Sequence, residues 1–208
     1  MLELEGISHG FGGKALFSID RLEILGGKHL LILGKSGSGK TTLLNIIGGL
    51  LRPAKGAVWL EKTNIYSLTN NARDKLRGLN IGFIFQKLHL IPTLSVMENL
   101  LLANYLAGKK QNRPHGWKIL EALGLKHKKN AYPENLSFGE AQRTAIARAL
   151  MNEPKIIIAD EPTSALDDES CASVIQLLIS EASQRNCSLI VATHDHRIKD
   201  FFPDRITL

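Results

Sequence analysis

The run Gly34-Lys35-Ser36-Gly37-Ser38-Gly39-Lys40-Thr41 combines residue types that suit one task, the holding of a chain of phosphates. It fits the pattern GxxxxGK[ST], and it stands where that pattern must, after an apolar run and at the opening of an amphipathic one. Gly34, Gly37 and Gly39 let the backbone curl around β- and γ-phosphates with no Cβ in the way, so that successive N–H groups face the anion. The start of the following helix adds its partial positive charge. Lys40 brings a mobile cation to the phosphates, and the Thr41 hydroxyl can ligate Mg²⁺. Ser36, Ser38 and Thr42 complete the candidate nucleotide-binding set.

A second constellation is Ile156-Ile157-Ile158-Ala159-Asp160-Glu161, an apolar strand that ends in two carboxylates. In an open α/β sheet that edge is where ligands bind. Asp160 suits Mg²⁺, held through water, and Glu161 can polarise the attacking water as a general base. A strand followed by a charged turn would look the same in isolation; beside a phosphate cradle, hydrolysis is the better reading. The cradle alone leaves kinases, GTPases and many ATPases open.

These residues need elements to position them. His29 to Leu33 is a continuous apolar run ending in glycine, as in strands covered on both faces of a mostly parallel sheet. The spacing then predicts a helix from about Lys40 to Leu50, with Leu43, Leu44, Ile46 and Ile47 on its buried side. Leu2, Leu4 and Ile7, then Phe17, Ile19, Leu22 and Ile24, follow a period of about two, so the opening reads as strands. Val58 to Leu60 and Ile81 to Phe85 are two further strands. From about Ser95 to Met151 the period turns helical, interrupted by the polar loop 108–113 and by Pro133. The residues from Lys87 to about Ser137 read as a mostly helical insertion. The last third returns to strand, helix and strand over Ile156–Ala159, Ser170–Arg185 and Ser188–Thr193, which predicts an α/β fold with helices on the faces of a sheet.

Just before the strand that carries Asp160 lies Leu136-Ser137-Phe138-Gly139-Glu140, followed by Ala141-Gln142-Arg143. This segment resembles the signature of the ABC ATPase family, usually written LSGGQ, with Phe138 in place of a glycine and Glu140 in place of the glutamine. Further matches fall in the family's order. Gln86 resembles the Q-loop glutamine, Ser164-Ala165-Leu166-Asp167 the D-loop, and His194 the switch histidine, while Phe11 stands where an aromatic stacks on adenine. The resemblance covers essentially the whole chain. It implies a P-loop NTPase core with a mostly parallel sheet flanked by helices, an N-terminal antiparallel β subdomain and an inserted helical subdomain. In that reading the chain is a single domain, with 1–86 and 138–208 as core and 87–137 as the helical part.

The resemblance also implies an ATPase with ATP and Mg²⁺ as its cofactors. Ser137 and Gly139 would contact the γ-phosphate of ATP held by the opposite copy, so the active unit would be a head-to-tail homodimer. Gln86 would sense Mg²⁺ and the attacking water, and His194 would hold the γ-phosphate and that water in place. The partner would be an integral-membrane permease, with this chain peripheral at the cytoplasmic face of a membrane, the bacterial inner membrane by preference. Gly48-Gly49-Leu50 and the run from Gln86 to Asn99 look most like the subgroup of lipoprotein-releasing systems, macrolide-type exporters and the cell-division complex. Those ATPases often drive mechanotransmission.

Composition agrees and excludes little by itself. The 208 residues include 26 Lys and Arg against 20 Asp and Glu, a net charge of +6. Such an excess suits nucleotides, other polyanions or an anionic membrane surface without choosing among them. Cys171 and Cys187 form no paired framework, which points to a reducing compartment. The N-terminus lacks the charge pattern of a signal peptide, and the apolar runs are strand-length, short of the ~20 residues that a spanning helix needs. With the sequence ending at Asp204–Leu208, no C-terminal regulatory domain is expected. The alternative is a soluble, non-transport ABC ATPase acting on nucleic acid or ribosomes. It would carry long heptads between its motifs or two cassettes in one chain, and neither is present, so no nucleic acid is expected.

Overall fold

The computed structural model describes residues 1–12, 14–164 and 166–208, with Phe11 and Lys14 described in their backbone only. Two sheets divide the strands. Strands β1 (Leu2–Phe11), β2 (Lys14–Ile24), β4 (Lys55–Leu60) and β5 (Thr63–Asn64) form an antiparallel sheet in the order β2-β1-β4-β5. Strands β3 (His29–Leu33), β6 (Ile81–Ile84), β7 (Ile156–Asp160), β8 (Ser188–Thr193) and β9 (Asp204–Thr207) form a parallel sheet in the order β6-β7-β8-β3-β9.

Period-two alternation explains why the parallel strands are apolar throughout. Leu31, Leu33, Ile157, Ala159, Leu189 and Val191 face a core shared with α3 (Val96–Leu106), α4 (Arg113–Ala122), α5 (Phe138–Leu150) and α6 (Asp168–Gln184). Their neighbours Leu30, Ile32, Ile156, Ile158, Ile190 and Ala192 face a second core. That core is completed by α1 (Lys40–Ile47) and by the inner face of the antiparallel sheet, with Leu2, Leu4, Ile7 and Phe17. Each face of the sheet therefore loses its contact with water, and no residue of β7 or β8 is more than slightly exposed.

Differences from the sequence expectation have local causes. Helix α1 stops at Ile47 rather than Leu50, because Gly48 and Gly49 follow and Gly49 takes φ +72°. Close packing at this point needs glycine: a Cβ on Gly48 would lie 1.9 Å from Phe83 Cζ. Helix α2 (Asn70–Asn80) was not anticipated; none of its side chains is fully buried, and its short apolar stripe of Ala72, Leu76 and Leu79 is outnumbered by polar residues, with Leu76 packing against the second core. Strand β9 was also not anticipated. It is short and solvent-facing, and it adds to the sheet edge beside β3, with the Leu208 amide donating to Leu33 O at 2.9 Å. Between α3 and α5, α4 is followed by two 3₁₀ turns, Lys126–Lys128 and Pro133–Asn135.

Candidate active site

All five strands of the parallel sheet point the same way, so their C-terminal ends share one edge. Four of them are consecutive neighbours, and they deliver most of the predicted residues together: β6 leads to Gln86, β7 ends at Asp160 and Glu161, β8 leads to His194 and β3 leads into the loop 34–39. Around that edge lies a cleft of about 380 Å³ lined by Leu16, Ser36, Gly37, Gly39, Lys40, Thr41, Thr42, Gln86, Glu161 and His194.

The loop is shaped for an anion. Gly37 adopts φ +81° with open space where a Cβ would be. Gly39 takes φ +102° at the start of α1, and a Cβ there would meet Leu16 and Phe17 at 2.7–2.8 Å. The Lys40 side chain is 6% exposed and folds back over the loop, its Nζ donating to Gly34 O at 2.9 Å and Lys35 O at 3.2 Å. It also lies 3.4 Å from Glu161 Oε1. Ser38 Oγ is buried and finds no hydrogen-bond partner among the described residues.

Asp160 sits behind the loop. The Thr41 hydroxyl donates to Asp160 Oδ2 at 2.7 Å, whereas Asp160 Oδ1 is buried without a partner among the described residues. Burial pushes the Asp160 carboxyl above its ordinary value, and the neighbouring Glu161 charge adds to the rise against the Thr41 hydrogen bond. A buried carboxylate with one unsatisfied oxygen beside a threonine hydroxyl is a hard, oxygen-only donor pair, and it fits a Mg²⁺ ion.

Glu161 is held from several sides. Its backbone has φ +48°, a left-handed conformation uncommon for a glutamate, and its amide donates to Ala192 O at 2.8 Å. The side chain accepts from Thr193 Oγ1 at 2.7 Å and from the His194 amide at 3.2 Å, and His194 Nδ1 lies 2.9 Å from Oε1. Burial alone would raise this carboxyl, but the hydrogen bonds from His194 and Thr193 outweigh it and hold it below the ordinary value. Two residues with no role in the sequence reading therefore belong to the site: Thr193, which orients Glu161, and Leu16, which walls the cleft. The signal for Thr193 was a polar residue ending an otherwise apolar strand run.

The remaining candidates lie elsewhere. Ser137 caps α5, and Gly139 lines a different cleft of about 360 Å³ with Phe138, Arg143, Leu166, Glu169 and Ser170. The Ser137 hydroxyl accepts from the Glu140 amide at 3.3 Å while Glu140 Oε2 accepts from the Ser137 amide at 2.8 Å, a capping box. Helix α5 joins the two clefts: Gln142 Nε2 donates to Pro162 O at 2.5 Å, and Arg148 donates to Leu88 O at 2.7 Å, close to Gln86. The adenine-stacking expectation falls on the Phe11 side chain, which lies outside the described residues, as does Ala165 of the 164–167 segment.

A parallel sheet that places a phosphate cradle, a mobile cation, a Mg²⁺-fitting pair and a carboxylate on one edge defines a P-loop nucleoside-triphosphate hydrolase. Comparison with known proteins narrows the class. The sequence profile described as ABC transporter matches residues 18–164. The hemin import ATP-binding protein HrtA of Staphylococcus haemolyticus is 41% identical over 99% of this chain and 95% of its own length. The lipoprotein-releasing system ATP-binding protein LolD of Saccharophagus degradans is 43% identical over 84% of this chain and 77% of its own length. The dimeric, post-hydrolysis structure of the ATP-binding cassette MJ0796 bound to ADP and Pi superposes with a TM-score of 0.88. It is 34% identical, and the match covers 100% of this chain and 94% of that one. The chain belongs to the ABC transporter family. It is an ATP-binding, ATP-hydrolysing subunit that uses ATP with Mg²⁺. Among the described residues no helix is long and apolar enough to cross a membrane.

Proposed function

We propose that two copies of this chain close head to tail on two ATP–Mg²⁺, each nucleotide lying between one copy's 34–42 segment and the other's Ser137–Gly139, and that closure drives the permease. One observation carries the reading. Strand order gathers Lys40, Thr41, Gln86, Glu161 and His194 around one cleft, while Gly139 lines another. A second copy can bring the two clefts face to face.

Within each site, Gly34 to Thr42 cradle the phosphates, and Lys40 exchanges its contact with Glu161 for the β- and γ-phosphates. Thr41, Asp160 and Gln86 would hold Mg²⁺, which would supply charge compensation to those phosphates. Glu161 and Gln86 orient the attacking water, and Glu161 accepts its proton as the water oxygen bonds to the γ-phosphorus and the bond to the ADP oxygen breaks. A carboxylate held below its ordinary value is a weak base, so its main work is orientation, which suits a reaction governed by positioning and charge. His194, anchored through Nδ1 on Glu161, steadies the γ-phosphate, and Phe11 stacks on the adenine.

In this reading residues 1–86 and 138–208 are the nucleotide-binding core, and 87–137 is the helical part that faces the permease. A groove of about 490 Å³, lined by Phe83, Phe85, Ile91, Leu102 and Leu106 together with the charged Asp74, Arg77 and Arg148, reaches Phe85 next to Gln86 and suits a permease helix. The chain then works at the cytoplasmic face of a membrane, the bacterial inner membrane by preference, without crossing it. The resemblance to LolD favours a mechanotransmission partner that releases a lipid-linked or amphiphilic substrate. A hemin-type substrate is the second reading, favoured by the near full-length match to HrtA.

The test is capture of tagged Glu161→Gln protein from detergent-solubilised native membranes with ATP and Mg²⁺. A doubled mass and a co-purifying permease with few helices and a large extracytoplasmic domain support the proposal. A many-helix permease keeps the dimer and removes the mechanotransmission assignment. A monomer that binds ATP without closing removes the dimer reading.

A further inference from the structure

The first turn of α5 brings a negative charge of its own to the place proposed to receive a phosphate. The capping box ties up the Ser137 and Glu140 amides, so Phe138 and Gly139 retain the first-turn N–H groups that no helical carbonyl can accept. Ser137 and Phe138 are exposed, so an anion can reach these donors. Any anion that does so also meets the Glu140 carboxylate, one residue beyond Gly139. The hydrogen bond from the Ser137 backbone, helped by Lys128, holds that carboxyl down to about 2. A fixed negative charge here is favoured by the positive end of the helix dipole, but it offsets that potential and repels an incoming phosphate.

The 3₁₀ turn Lys126–Lys128 supplies the counter-charge. Lys128 Nζ is 3.2 Å from Glu140 Oε1, and His127 Nε2 is 3.8 Å from the same oxygen. The two carboxylate oxygens thus divide their work, Oε2 in the helix cap and Oε1 toward the cation. Other members of the basic run are engaged elsewhere. Lys126 pairs with Glu121 at 2.5 Å, and Lys126 and Lys129 lie over the Trp117 ring at 5.4 and 4.3 Å from its centroid. Trp117 packs against the helical core and so fixes the turn in place. The basic run Lys126-His127-Lys128-Lys129 therefore presents one particular lysine to one particular carboxylate.

We propose that Lys128 is a positioning residue for ATP-driven dimerisation, neutralising Glu140 so that the N-terminus of α5 can accept the terminal phosphate of ATP held by a second copy. This inference rests on the dimer reading above. A lysine that served only to stabilise the fold would leave a defect when removed, whatever residue stood at position 140. A lysine that serves as counter-charge becomes dispensable once the carboxylate is gone.

The experiment is an ATP titration of dimerisation by static light scattering, in the Glu161→Gln background with Mg²⁺ present. Lys128→Ala should raise the ATP concentration for half-maximal dimer about fivefold, the size expected of a partly exposed charge pair. Binding of a fluorescent ATP analogue to the single copy should stay within about twofold of the parent, because the cradle is untouched. Adding Glu140→Gln to Lys128→Ala should return the midpoint to near the parent value, and Lys128→Arg should retain it. A Lys128→Ala midpoint equal to the parent's overturns the inference, and so does a shift that Glu140→Gln fails to reverse. Ser137→Arg in the same background separates the two levels. If it dimerises like its parent, the signature reading itself is wrong; if it blocks dimerisation while Lys128→Ala is silent, only the counter-charge role falls. A parent that never dimerises removes both.

Discussion

Asp160 and Glu161 are chain neighbours whose surroundings push their carboxyls in opposite directions. Burial raises Asp160, whereas the hydrogen bonds of His194 and Thr193 overcome burial at Glu161 and lower it. The signs for stability follow. Ionised Asp160 costs stability near neutral pH, and that cost fades as pH falls through its raised value. Glu161 stabilises the fold above the ordinary carboxylate value of 4.5, and that contribution is lost as pH falls through its lowered one. Asp160→Asn should therefore raise the melting temperature in metal-free buffer at pH 7 by about 2–4 °C, because the amide oxygen can still accept from Thr41. Its Mg²⁺-dependent ATP turnover should fall by about 100-fold. Calorimetry and phosphate release check the two halves, and a lowered melting temperature would contradict the assignment of Asp160 as an uncompensated charge.

Among the elements, α5 links the Ser137 cap to the segment that follows Gln86. It begins at the Ser137–Glu140 capping box, donates from Gln142 to Pro162 O, and in its last turn carries the half-buried Arg148, which donates to Leu88 O and His89 O. The box contribution is complete above the ordinary value of 4.5 for Glu140 and is lost as pH falls toward about 2. Arg148 ties the helix to the 87–95 loop, which Asn99 orders from the other side through Ile91 and Leu94. Arg148→Ala removes two charge-assisted hydrogen bonds, so amides of residues 88–95 should exchange with deuterium roughly tenfold faster or more. ATP affinity of the single copy should hold, since none of these groups lines the nucleotide cleft. Unchanged exchange in 88–95 would show that Asn99 alone orders the loop.

At the scale of the molecule, the parallel sheet is the wall between two cores, and the site is built on its edge. Ile158 is fully buried on the face shared with α1 and the antiparallel sheet. Ile158→Ala should cost about 2–5 kcal/mol in urea unfolding, a large part of the ~5–15 kcal/mol typical of a domain. Because Ile158 lies two residues before Asp160, Mg²⁺-dependent turnover should fall in step with the folded fraction. A loss below about 1 kcal/mol would mean that the second core can collapse around the gap.

Much of this protein was legible without coordinates, because the informative signals were local. The phosphate cradle, the paired carboxylates, the apolar strands around them and the amphipathic helix α1 each depend on residues a few positions apart, and spacing encodes such relations directly. What escaped was whatever local spacing cannot carry. Helix α2 carries only a short apolar stripe and buries no side chain fully, and β9 is a strand only because β3 offers it an edge. The contacts that tune the site join residues distant in the chain: Thr41 with Asp160, Glu161 with Thr193 and His194, and Lys128 with Glu140. Strand order decides the first two, by bringing the ends of β3, β7 and β8 side by side; packing of the turn at 126–128 against α5 decides the third. Sequence determined which chemical groups the protein possesses and which elements carry them. Tertiary structure alone decided which groups meet, because each pairing needs two segments to fold against the same core before either side chain finds its partner.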